Sequence, residues 1–201
     1  MRYGPEHKQT THARIVAAAQ SLFRKHGFEG ASVDRVMRAA GLTVGGFYAH
    51  FATKEALFVE ALRDFMQQRR VKWVAGLEAL RGAQWLGSFA RRYLTRKRCD
   101  DLELGCIMPS LLSDLTRASP EVQATFAEEL EALVREAQAH LDDEAGVTAR
   151  QRAVAAIALC FGAMTLARAT SSQPFSNELL EAARALLAGG QEPPSPTRAA
   201  E

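Results

Sequence analysis

The stretch Val33-Asp-Arg-Val-Met-Arg-Ala-Ala-Gly-Leu-Thr-Val-Gly-Gly-Phe-Tyr-Ala-His-Phe51 decides how this chain is read. Ser32 in front of it can cap a helix, because a serine hydroxyl accepts a backbone N–H from the first turn. Val33, Val36, Met37 and Ala40 recur at helical spacing and predict one apolar face. Gly41 suits the left-handed position that ends a helix, Leu42 anchors the turn, and Thr43 is a second cap. A short second helix over 44–50 follows, with Phe47 and Phe51 turned inward together and Tyr48 and His50 off that buried stripe. Two short helices joined by a tight turn, with Lys54 opening a third, have the shape of a helix-turn-helix that docks on DNA.

Gly45 and Gly46 are out of place in a helix, where each costs about 1 kcal/mol relative to alanine. Either they belong to a loose turn, or their missing side chains let the backbone approach a phosphate or base edge. Tyr48, His50 and Lys54 lie close by and can all donate hydrogen bonds to phosphate. Taken singly, Tyr48 also reads as a packed aromatic with a wet hydroxyl, and His50 as a surface histidine.

Residues 11–57 resemble the DNA-binding domain of the TetR family of transcriptional regulators. The resemblance is carried by Ile15-Val-Ala-Ala-Ala-Gln-Ser-Leu-Phe23, His26-Gly-Phe28, Ala31-Ser-Val33, Ala40-Gly-Leu-Thr43, Gly45-Gly-Phe-Tyr-Ala-His-Phe51 and Lys54-Glu-Ala-Leu57. It implies that Thr43, Val44, Gly45 and Gly46 face the major groove. It further implies that Tyr48, His50 and Lys54 hold phosphates, and that Ser32 or Val33 adds a backbone N–H. Val44 and Ala49 depart from the commoner pattern, and few long polar side chains remain to read bases. Val44 can touch a thymine methyl, and DNA shape then carries more of the specificity.

A scaffold helix is expected from Thr10 or Thr11 to about Lys25, with Ile15, Ala18, Ala19, Leu22 and Phe23 as its apolar stripe and Gly27 as its stop. The arm before it, with Arg2 and Lys8, reads as flexible. The chain of 201 residues carries a formal charge of +2, unevenly spread: residues 1–55 hold eight Lys/Arg against four Asp/Glu, and four of the five histidines. A positive end suits a polyanionic partner. No leader precedes the first helix and no apolar run reaches the roughly 18 residues of a membrane span, so a cytoplasmic protein with no membrane partner is expected. No nucleophile–base pair, metal-ligand cluster or phosphate-binding glycine loop stands at useful spacing, so the reading is of a non-enzyme with no cofactor and no metal. An interaction adaptor that has kept the head and lost DNA binding is the competing class.

Beyond Lys54 the pattern is helical throughout, giving an all-α chain of about nine helices. Helices are expected over 54–80 and 84–95, after Gly105 with Pro109 in the first turn, from Ser119-Pro-Glu121 to about 141, over 148–169, and from Ser176 or Asn177 to before Gly189. The expected organisation is a helix-turn-helix domain over 1–55, a helical regulatory and dimerisation domain over 56–188, and a disordered tail over 189–201. The helix after Thr148 is rich in small residues. The resemblance implies a homodimer through the last two helices, and Ala156, Cys160 and Ala163 are candidates for its seam, with a buried intrachain helix as the alternative. It also implies a small-molecule effector in the regulatory half. Phe65, Trp73, Trp85, Phe89, Tyr93, Met108, Phe126 and Met164 are candidate pocket residues, each equally at home in an ordinary core.

The three cysteines are Cys99, Cys106 and Cys160, an odd number that argues against a structural disulfide set. Cys99 follows Arg96-Lys-Arg98, whose charges favour thiolate, and Cys106 is expected at a helix N-terminus, which lowers a thiol pKa. Gly105-Cys-Ile-Met108 resembles a segment of a TetR branch that includes electrophile and oxidant sensors, so Cys106 is a candidate sensor; a small buried hydrophobe is the alternative reading. The function expected from the resemblance is a ligand-responsive regulator, in most relatives a repressor, binding a palindromic operator as a dimer.

Overall fold

The structure, a computed structural model, describes residues 5–101 and 108–189. Its regular elements are helical: α1 (Pro5–Gly30), α2 (Val33–Ala39), a 3₁₀ helix (Val44–Ala49), α3 (Lys54–Val74), α4 (Gly82–Tyr93), α5 (Arg96–Asp100), α6 (Met108–Leu115), α7 (Pro120–Gln138), α8 (Ala149–Ala169) and α9 (Gln173–Leu187). By contacts the chain divides into two compact units, residues 1–71 with 101–132 and residues 72–100 with 133–201. The boundary expected after residue 55 does not coincide with this division by contacts.

In the first unit α1 packs on α2 and α6. Ile15, Ala19 and Phe23 of α1, Val36 and Met37 of α2, and Leu57, Phe58, Ala61 and Leu62 of α3 are all buried. Phe23 meets Phe58 edge-on at 4.9 Å between ring centroids. The one amide in this apolar contact is bonded: Gln20 donates through Nε2 to Asp64 Oδ2 at 2.6 Å and to the Ala61 carbonyl at 3.2 Å. A buried side-chain amide without partners would oppose the packing that these bonds permit.

α1 starts earlier than its caps suggest. Thr10 is not a cap but lies inside the helix, its hydroxyl donating to the Glu6 carbonyl at 2.9 Å. The arm read as flexible is therefore helical from Pro5. Gly27 ends the first helical stretch as expected, and a second continues across the kink to Gly30: its φ of 69° and ψ of −178° fall where essentially only glycine is found. The carboxylate of Asp114 on α6 takes the space a side chain would need, and its Oδ2 accepts the Phe28 N–H at 2.8 Å.

In the second unit α9 packs on α8 and α4, and α8 also meets α4 and α5. Thr148 opens α8 with a full capping box: its Oγ1 accepts the Gln151 N–H at 3.2 Å while Gln151 Oε1 accepts the Thr148 N–H at 2.9 Å. α8 is, contrary to the sequence reading, long and apolar enough to cross a membrane by length and composition. Here it is a core helix, with Ile157, Cys160, Phe161 and Met164 buried within the unit. Three boundaries also differ. α3 stops at Val74, before the left-handed Gly76, whose N–H donates to Glu78 Oε1 at 2.7 Å. α5 was not expected, being a single turn over Arg96–Asp100. α9 begins at Gln173 behind Ser172, with Pro174 in its first turn; Ser176 is buried and donates to the Ala167 carbonyl at 2.7 Å instead of capping.

Gly27→Ala should lower unfolding free energy by about 1–3 kcal/mol, since the new Cβ would also lie 2.7 Å from Asp114 Oδ2. Denaturant melts of the two proteins measure this, and an unchanged midpoint would mean that the kink tolerates any residue.

Candidate nucleic-acid interface

The turn between α2 and the 3₁₀ helix is built mainly by local chemistry. Ser32 Oγ accepts the Arg35 N–H at 3.2 Å and starts α2. At the other end Gly41, with φ +67°, donates its N–H to the Arg38 carbonyl at 3.0 Å, and Leu42 donates to the Met37 carbonyl at 2.9 Å. These two bonds form a complete Schellman stop. Arg14 of α1 adds a guanidinium bond to the Ala40 carbonyl at 2.6 Å, so the turn is tied to the scaffold helix. That role of Arg14 was not foreseen, because it depends on a contact across the fold.

The second helix of the motif is a 3₁₀ helix over Val44–Ala49. Thr43 sits at its cap position, but its side chain makes no cap bond. Phe47 is fully buried and Phe51 nearly so, their rings 5.8 Å apart. Tyr48 stands outside them at 71% exposure, edge-on to Phe47 at 5.3 Å. Thr43, Val44, Gly45, Tyr48 and Ala49 are exposed, and Gly46 is half-buried.

The two glycines are not demanded by the chain itself. Neither is among the residues with positive φ. A Cβ on Gly45 would meet nothing within 4 Å, and one on Gly46 only the Met37 Cε at an ordinary 3.6 Å. A Cβ at Gly45 would stand in open space on the exposed side of the motif, whereas one at Gly46 would turn toward the buried Met37.

The end of the 3₁₀ helix rests on α1. The His12 ring stacks on Phe51 with centroids 4.5 Å apart and lies 5.7 Å from the His50 ring. His12 Nε2 is 2.6 Å from Glu60 Oε1 of α3. His50 is half-exposed, yet its Nδ1 is shut off from solvent and has no hydrogen-bond partner. Burial pushes the His50 pKa below the usual imidazole value, and positive charge on His12 and Lys8 pushes the same way. Lys8 and His12 thus belong to this end of the motif, although sequence reading set Lys8 on a flexible arm. Lys54, expected on a phosphate, holds its ammonium 4.1 Å from the Phe28 ring centroid, a cation–π contact within the chain. Ser32 is exposed with its hydroxyl committed to the cap, and Val33 is half-buried beside it.

The remaining candidates fall elsewhere. Phe65 is buried and Phe126 half-buried in the first unit. Trp73, Trp85, Phe89, Tyr93 and Met164 are buried in the second. There Trp85 stacks between His140 and Phe89, and Trp73 meets Phe89 and Tyr93 edge-on. The indole Nε1 of each tryptophan is buried without an acceptor. The Met108 side chain and Cys106 lie outside the described residues. Ala156, Cys160 and Ala163, read as a dimer seam, are instead buried within their own unit, where small side chains let the helices approach closely. Burial pushes the Cys160 thiol up to about 12, and Cys99 is buried as well. The basic run before Cys99 therefore leads into a buried side chain, not an open one.

Comparison with known proteins bears on the same segment. Residues 15–61 match the family described as bacterial regulatory proteins, tetR family. Over 57 residues the chain is 39% identical to an uncharacterized HTH-type transcriptional regulator, YdgC, of Bacillus subtilis, a match covering 28% of this chain and 29% of that protein. The match thus spans less than a third of this relative's length. Over nearly the whole chain the fold is that of NemR from Escherichia coli in its reduced form, with a TM-score of 0.76, 19% identity, and 92% and 99% of the two chains covered. A TetR transcriptional regulator from Chloroflexus aurantiacus aligns with a TM-score of 0.69 at 27% identity, covering 90% of this chain and 93% of the other. The segment that matches the tetR family of bacterial regulatory proteins, residues 15–61, is thus a helix-turn-helix closed by Ser32 and Gly41, carried on an all-helical fold similar to that of TetR regulators.

Proposed function

We propose that the chain is a transcriptional regulator of the repressor type that binds a palindromic operator through its 3₁₀ helix. Gly45 carries this reading: an exposed glycine that neither backbone conformation nor crowding requires is explained by close approach of something outside the chain. In it, Thr43, Val44, Gly45 and Gly46 lie in the major groove, with Val44 against a base methyl. Tyr48 and His50 contact phosphate, as do backbone groups at Ser32 and Val33. Lys54 contributes as a charge seated on Phe28.

We also propose a homodimer, because two reading helices on one protomer each must reach successive major grooves, ~34 Å apart. The surface that supports it is the outer face of α8 and α9, not the buried alanines. Leu166 is 57% exposed and Leu186 71% exposed, with Val154 and Phe175 also open. A shallow groove of about 440 Å³ runs beside Leu166, Phe175 and Leu179. Exposed apolar side chains of this size on two adjoining helices mark an association surface.

Release by a small-molecule effector completes the reading. An effector acts only by preferring one of two states. Trp73, Trp85, Phe89 and Tyr93 are the aromatic candidates for its recognition, and Cys106 is the candidate for a covalent signal. A regulator of this kind works in the cytoplasm.

Gly45→Ala should fold at least as stably as the parent, since alanine favours helix by up to ~1 kcal/mol. The same change should weaken capture of the selected operator duplex, read by fluorescence anisotropy. Unchanged affinity would show that the groove does not need the glycine. Tyr48→Ala should leave the melting midpoint within about 0.5 kcal/mol. It should nonetheless lose roughly ten- to a hundredfold in affinity, the worth of one hydrogen bond to a charged group. Leu166→Glu combined with Leu186→Glu should give a monomer by sedimentation with its helical signal intact; a dimer that survives both charges contradicts the proposed seam.

A further inference from the structure

His50 is the one side chain at this interface whose charge can change near neutral pH and whose inner nitrogen has no partner within the chain. It closes the 3₁₀ helix, its backbone N–H donating to the Phe47 carbonyl at 2.8 Å. Its ring lies 5.7 Å from that of His12, at the end of the helix that exposes Tyr48. In the neutral ring the buried Nδ1 is least costly as a bare lone pair, which leaves Nε2 to carry the proton. Protonation would put a donor at Nδ1 with no acceptor in reach.

We propose that His50 takes up a proton when the head captures a duplex, making DNA binding proton-linked, and that His12 is the positioning residue that sets this linkage. The inference rests on the DNA-binding reading given above. The groups facing His50 are Lys8 and His12 from α1, with Glu60 of α3 reaching it through His12. In the free protein the first two oppose a charge on His50, and burial does so too. A phosphate brings the opposite sign. An anion within about 4–6 Å favours the charged form by one to three pKa units. Binding then draws a proton from solution.

The sign follows from linkage. The pKa in the complex lies above that of the free protein. Affinity therefore rises as pH falls through the higher value and levels off below the lower one, where both states are already protonated. Each unit of difference amounts to about tenfold in affinity. His12 acts through geometry as well as charge: its ring wedges Phe51 and its Nε2 is held by Glu60. His12→Gln keeps a hydrogen-bonding group near Glu60 but removes the ring that opposes charge on His50, so the midpoint of the pH profile should move upward.

The test uses the full-length protein and two duplexes, an operator selected from a random pool and a scrambled sequence of equal length. Affinity is measured between pH 5.5 and 8 at constant ionic strength. Proton uptake comes from calorimetry in two buffers of different ionisation enthalpy. The parent should tighten about tenfold or more across that range and take up protons. His50→Gln should bind with a flat profile, and His7→Gln and His26→Gln should keep the parental slope. NMR titration of the His50 ring in the parent, with and without duplex, gives the same answer without a variant. Tight operator binding with no proton uptake, or a His50→Gln slope equal to the parent's, overturns the proton linkage and leaves DNA binding intact. Failure to bind either duplex at any pH overturns the DNA-binding reading and this inference with it.

Discussion

A six-residue 3₁₀ helix cannot hold its own shape in water. Short helices gain too few hydrogen bonds to offset the ordering of the backbone, and 3₁₀ bonds are poorly aligned. The helix over Val44–Ala49 exists because Phe47 is driven fully into the first unit and Phe51 follows it. Burying one such ring is worth about 1.5–3 kcal/mol. That anchoring leaves the opposite face, Thr43 to Gly45 with Tyr48, bare and fixed in place. The Schellman stop at Gly41 and the Arg14 bond to Ala40 decide where the helix begins, and His12 against Phe51 decides where it ends.

What was legible in the sequence was local. Ser32 as a cap, Gly41 as a left-handed stop, Pro120 in a first turn and Thr148 at the head of a long helix are decisions taken within four residues, and the structure keeps each of them. Phe47 and Phe51 were readable for the same reason. The contacts that complete the site join residues far apart in the chain. Arg14 with Ala40, His12 with Glu60 and Asp114 with Phe28 leave no periodic trace, so no spacing rule could have found them. Lys54 shows the converse. Its position at the head of α3 was right, but its ammonium had a closer partner in Phe28 than any sequence pattern could reveal.

Small residues misled for a physical reason. A stripe of alanine suits both a seam between protomers and close packing inside one, and pattern alone does not separate them. In α8 the alanines at 153, 156, 163 and 167 went inward, while those at 155 and 158 share the surface with Val154 and Leu166. In the aromatic cluster of the second unit, size and hydrophobicity explain the burial of Trp73 and Trp85. They do not explain two indole N–H groups left without acceptors. A buried unsatisfied donor costs about 1–3 kcal/mol, which is reason to count this cluster with the regulatory proposal rather than with inert core.

The central claim is that the exposed face of the 3₁₀ helix lies against nucleotides. The most direct measurement replaces Val44 by a photoreactive benzophenone residue and irradiates the protein bound to its selected duplex. The same group at Val154, exposed on α8, serves as the comparison. The account predicts a covalent link from position 44 to bases of the duplex and none from position 154. Cross-linking at 154 alone, or none at 44 while the duplex remains bound, would contradict it.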